Sequence, residues 1–257
     1  MKGFVLEVCA DSVESALAAE KGGATRIELC QNLIIGGTTP SPCMFRELRR
    51  HSNIPVHVLI RPRFGDFCYS EYEFSEMLEE IRMFRDLGAE GVVIGVLLPD
   101  GSLDVERIRL LKDAAGDMSV TLHRAFDVCA DPFEAMEQAV QLGIHTILTS
   151  GQKDRCTEGA DLLAELQERS RGRICILAGS GIDARAVQTL YPRTGIMAYH
   201  MSGKVTRNSP MVYRKAEVHM GLPSFSEYEL FGTEESLVRE VRDLLEGYAA
   251  ASLTERG

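Results

Sequence analysis

The chain has 257 residues, 45% of them hydrophobic, and a net charge of −10. That length can bury a large core in one domain, the acidic balance without a basic stripe excludes nucleic acid as a partner, and no apolar run approaches the length of a membrane span. Seven cysteines, an odd number without paired spacing, exclude a disulfide framework and predict reduced thiols in a cytoplasmic protein.

The first predicted strand, Phe4–Cys9, follows Met1-Lys2-Gly3 directly, which is not the pattern of a signal peptide. It ends Leu6-Glu7-Val8-Cys9. An amphipathic helix closed by Gly22-Gly23 follows, and a second strand, Arg26–Cys30, ends Ile27-Glu28-Leu29-Cys30. Residues two apart in a strand share a face, so Glu7 points with Cys9 and Glu28 points with Cys30. Six further short apolar runs read as strands: Val56–Arg61, Gly91–Leu97, Ser119–Arg124, Thr146–Ser150, Ile174–Ala178 and Ile196–Met201. Helical patterns lie between them, including Glu71–Leu87, Asp104–Ala115, Phe133–Leu142 and Gly159–Ser170, several ending at glycines suited to a left-handed cap.

Eight such units in about 200 residues predict an α/β fold of the closed (β/α)8 type, a TIM barrel. An open doubly wound sheet would carry a glycine-rich fingerprint in its first βα turn. Cys9-Ala10-Asp11-Ser12 stands there instead, so there is no nucleotide-cofactor signal. We expect one domain over 1–257, with the barrel core over about 4–203 and a C-terminal extension over 204–257. In that extension Lys204–Leu222 reads as an extended loop. Glu234–Ala250 reads as a helix whose Leu237, Val241, Leu244 and Leu245 dock on the barrel or on a partner subunit.

Barrel chemistry sits where strands end and βα loops begin. Cys9 and Cys30, two soft ligands on neighbouring strands, suit Cu(I). Acid–base chemistry on a small phosphorylated or carboxylated metabolite, of the lyase or isomerase type, competes with that reading. Glu7, Glu28, His123 and Asp127 would then move protons. Arg61, Arg63, Asp66, Arg124, Ser150, Gly179, Gly181, His200 and Ser202 would bind the anion. Schiff-base chemistry ranks last, because Lys153 and Lys204 fall in loops beyond the sixth and eighth strands. An interaction module would need an exposed apolar patch rather than a polar mouth.

Blander roles stand beside these. Arg61 and Arg63 could only pair with Glu7 and Glu28, and His123 could be a satisfied core histidine. His57 and His145 read as core, His51 and His219 as solvated, and Cys43, Cys129, Cys156 and Cys175 as structural.

The segments LEVCADSVESALAAEKGGATRIELC, GGTTPS, IRPRFGDFCYS, LHRAFDVCADP, ILTSG and AGSGI, in this order over about Phe4–Ser209, resemble the CutC family of copper homeostasis proteins. The resemblance implies a cytosolic TIM barrel, a homodimer or homotetramer, that binds Cu(I) through two cysteines matching Cys9 and Cys30. Phe64 and Ser180 stand where the family commonly has glycine, and Leu122 where it often has Phe.

Overall fold

Eight of the apolar runs form parallel strands: β1 Val5–Ala10, β2 Arg26–Leu29, β3 Val56–Leu59, β4 Gly91–Ile94, β5 Ser119–Leu122, β6 Thr146–Thr149, β7 Cys175–Ala178 and β8 Ala198–Met201. They hydrogen-bond in chain order. β8 then returns to β1 with His200 opposite Glu7, which closes the expected (β/α)8 barrel. This computed structural model describes residues 3–215, 217–218, 220 and 225–254; the expectation for His219 and part of that for Lys204–Leu222 lie outside them.

The helices are α1 Val13–Gly22, α2 Pro42–Arg49, α3 Glu71–Asp86, α4 Val105–Ala115, α5 Pro132–Gln141, α6 Ala160–Ser170, α7 Ala184–Thr194 and α8 Glu235–Thr254. Their starts are chemically marked. Ser70 opens α3 with a reciprocal bond to Glu73, Asp131 opens α5, and Asp183 opens α7. Gly23 closes α1 at φ +95°, where its N–H reaches the Ala19 and Glu20 carbonyls. The outward strand residues, among them Leu6, Val8, Ile27 and Leu29, pack with Phe45 and Phe84 into the layer between strands and helices.

The C-terminal extension departs from the extended loop expected for it. Lys204–Asn208 forms β9, which pairs antiparallel with β10 Glu229–Thr233. The partner of β9 lies some twenty residues downstream, and most side chains of the pair are exposed, so local periodicity carries no signal for it. The final helix docks on the barrel itself. Val238, Val241 and Leu245 are fully buried, and the Tyr191 and Tyr248 rings stack 4.0 Å apart. Gly22 lets α8 approach, since a Cβ there would meet that of Val238 at 2.6 Å.

Candidate functional site

Strand alternation turns Glu7 and Cys9 of β1 and Arg26 and Glu28 of β2 into the barrel interior, with Glu7 level with Arg26 and Cys9 level with Glu28. Glu28 is in turn level with His57 of β3. Cys30, the next inward residue after Glu28, is fully buried against Leu59 and Val93. Its thiol donates to the Ala10 carbonyl at 3.6 Å, and that of Cys9 to the Met201 carbonyl at 3.5 Å.

Glu7 is the hub of the interior. Its carboxylate takes Arg26 Nε at 2.5 Å on one oxygen and lies 2.6 Å from His200 Nδ1 on the other. Burial alone would raise the Glu7 carboxyl, but Arg26 and His200 overcome it and hold the group well below the usual carboxylate range. Burial would equally strip His200 of its proton; Cys9, Glu28 and Glu7 outweigh it and keep the ring charged. At Glu28 burial, with the Glu7 charge adding to it, outweighs His200 and Arg26 and pushes the carboxyl up to about 7. Burial, with help from Cys9, Glu28 and Asp11, raises the Cys30 thiol well above its ordinary value. Glu7, Glu28 and His200 offer ligand atoms within 4.8 Å of one another.

Above this layer opens a cavity of about 570 Å³, and its walls include Cys9, Glu28, Arg61, His123, Arg124 and His200. Gly181, Ser202, Asp127 and Lys204 reach the same cavity. The Lys204 ammonium lies 4.6 Å from the centre of the Phe231 ring. Six of the residues expected at the mouth lie outside its lining. Glu7 and Cys30 are buried behind it, while Ser150 and Gly179 belong to the loop bases after β6 and β7. Arg63 and Asp66 pair with each other at 2.9 Å, and Arg63 also holds Glu73 at 2.6 Å. Neither Arg61 nor Arg63 pairs with Glu7 or Glu28; Glu7 takes Arg26 instead.

Asp127 holds the rim. One carboxylate oxygen accepts the Thr149 hydroxyl at 2.5 Å and the Ser150 N–H at 3.0 Å; the other accepts Arg124 Nε at 2.7 Å. A carboxylate so occupied positions Arg124 rather than standing free as a base. Ser180 sits at φ +74°, a conformation that favours glycine, and its hydroxyl donates to the Asp154 carbonyl at 2.6 Å. Gly95 carries no side chain because the His123 ring lies over it; a Cβ there would meet the ring at 2.4 Å. Gly91 accommodates His57 in the same way. Arg26, the counter-ion of Glu7, is the functional residue that the motif reading passed over. Its signal was present, because Arg26, Glu28 and Cys30 alternate on one strand face.

Burial, then Arg61, depresses His123 from 6.5 to about 3. In the unfolded chain the ring takes a proton near 6.5, so between pH 7 and pH 5 the unfolded state binds more protons and stability rises with pH. Glu28 and Glu80, both pushed by burial up to about 7, act in the opposite sense, so the difference between two proteins is the useful quantity. In His123→Asn the amide oxygen replaces Nδ1 as acceptor for Ala125 N–H. Wild type is expected to lose about 2 kcal/mol more than this variant between those pH values, measured by chemical denaturation. Parallel stability curves would contradict the assignment.

Comparison with known proteins gives one family. The model described as the CutC family matches residues 4–205. A family protein CutC of Bacteroides fragilis is 45% identical over 255 residues, 98% of this chain and 100% of that one. The human copper homeostasis protein cutC homolog is 44% identical over 238 residues, 92% of this chain and 87% of its own. Among solved structures, the Streptococcus agalactiae CutC protein assigned to copper homeostasis superposes with a TM-score of 0.74 at 32% identity, over 77% of this chain and 98% of that one.

Proposed function

The chain belongs to the CutC family, and on that premise we propose that it serves copper homeostasis by holding Cu(I) on Cys9 and Cys30 at the barrel mouth. One observation carries the reading. Two unbridged thiols stand at the ends of hydrogen-bonded neighbours, Cys9 within β1 and Cys30 just after β2. Thiolates are soft donors that suit Cu(I), which accepts low coordination numbers. Cys9 lines the cavity, and Cys30 is buried behind it, where a Cβ on Gly37 would come to 3.8 Å from its sulfur.

We extend the proposal to a cytoplasmic homodimer or homotetramer. The free thiols support a reducing compartment, and among the described residues no helix is long and apolar enough to cross a membrane.

Anaerobic competition against a Cu(I) chelator tests the metal reading. Cys9→Ser and Cys30→Ser are each expected to weaken binding by about tenfold or more, a loss of about 1.4 kcal/mol. Unchanged affinity in both variants would remove the basis for copper binding at the mouth.

A further inference from the structure

Arg61 is a buried cation whose hydrogen bonds, among the described residues, reach no carboxylate. It is 8% exposed, and its terminal nitrogens donate to the backbone carbonyls of Gly36 at 3.2 Å, Gly37 at 3.1 Å and Gly65 at 2.9 Å, with the Tyr69 hydroxyl also near the guanidinium. These bonds lock the guanidinium plane while Nε, also buried, has no partner among the described residues. A buried charge without a counter-ion is costly, and so is an unmet buried donor.

His123 presents a second such donor. Its Nδ1 accepts the Ala125 N–H at 3.1 Å, which assigns the hydrogen of the neutral ring to Nε2. The ring is 5% exposed, and Nε2 is buried without a partner among the described residues. Phe67 braces both groups: the Arg61 guanidinium carbon lies 5.2 Å from its ring centre, and the His123 ring centre lies 4.9 Å from it. Arg61, His123 and Phe67 all line the mouth cavity. A third unmet atom, Glu28 Oε2, belongs to another residue of that lining.

We propose that the cavity binds a small hydroxylated organic anion, its carboxylate or phosphoryl group seated on Arg61 Nε–H and His123 Nε2–H and a hydroxyl of the same molecule facing Glu28. The chemistry follows from the unmet atoms. Two donors, one on a permanent cation, call for an anionic oxygen group. A carboxyl oxygen calls for a hydroxyl donor. A volume of about 570 Å³ exceeds what a single metal ion fills and falls in the range of metabolite pockets. This seat contains neither cysteine, so it is separable from copper binding.

The test uses the full chain, stripped of copper, with glycerate and glycerol 3-phosphate as probes, read by calorimetric titration and thermal shift. Binding of glycerate alone marks a carboxylate seat, and binding of glycerol 3-phosphate alone marks a phosphoryl seat; either supports the proposal, as does binding of both. His123→Asn, which keeps the backbone acceptor and loses Nε2–H, is expected to weaken binding by about tenfold or more. Arg61→Gln is expected to abolish it. Arg63→Gln, outside the cavity, should bind like wild type. Failure of both probes to bind at millimolar concentration would overturn the proposal. So would a loss in Arg63→Gln equal to that in His123→Asn. Cys30→Ser, outside the cavity lining, should retain the anion site, which separates this result from the outcome for copper.

Discussion

Arg26→Met is expected to destabilise the protein by about 3–5 kcal/mol, the range for removing one member of a buried ion pair. Glu7 is fully buried, and Arg26 is the cation that, with His200, holds its charge. Met fills much of the volume of the aliphatic stem but cannot compensate the carboxylate. Glu7 then either stays charged with His200 alone or takes a proton, and both routes cost stability. A second substitution separates charge from packing. With Glu7→Leu added, the uncompensated charge disappears, and the double variant should be more stable than Arg26→Met alone. Chemical denaturation of the single and double variants at neutral pH measures this. Additive losses would show that the two residues act independently and that the interior network is a coincidence of position.

Asp127→Ala is expected to cost about 3 kcal/mol or more, from several donors left unmet at about 1–3 kcal/mol each. The orphaned groups would be the Thr149 hydroxyl and the N–H groups of Ser150 and Gln152, together with Arg124 Nε. The Asp127 carboxylate is nearly enclosed, whereas Arg124 is 43% exposed, so the loss falls on the backbone bonds more than on the ion pair. Asp127→Asn, with one acceptor oxygen, should lie between wild type and Ala. An Asn variant as unstable as Ala would assign the effect to charge instead of to hydrogen-bond count.

The barrel was legible because its strands are short runs buried on both faces, and all eight runs became strands with ends shifted by at most three residues. α2 and α7 are not among the helical patterns named from the sequence. α2 is only eight residues long, and Pro192 interrupts the local sequence of α7. At the site, period-two alternation placed Glu7, Cys9, Glu28, Arg61, His123 and His200 inward as long as the strand geometry lasted. Alternation stops at Pro62. Beyond it the chain turns, and Arg63 bonds the carbonyls of Phe64, Asp66 and Cys68 instead of entering the cavity. Asp127 read as a proton-moving carboxylate because, Arg124 apart, its partners lie more than twenty residues away on the next strand end. The identity of the Glu7 counter-ion is likewise a fact of register, since Arg26 and His200 flank it from two different strands.

X-ray absorption at the copper edge of the anaerobically Cu(I)-loaded protein tests the central claim most directly. Copper held by Cys9 and Cys30 gives a first shell of two sulfur scatterers, and Cys9→Ser/Cys30→Ser should replace or lose that shell. A first shell of nitrogen and oxygen alone, or one unchanged in the double variant, would contradict copper binding by these thiols.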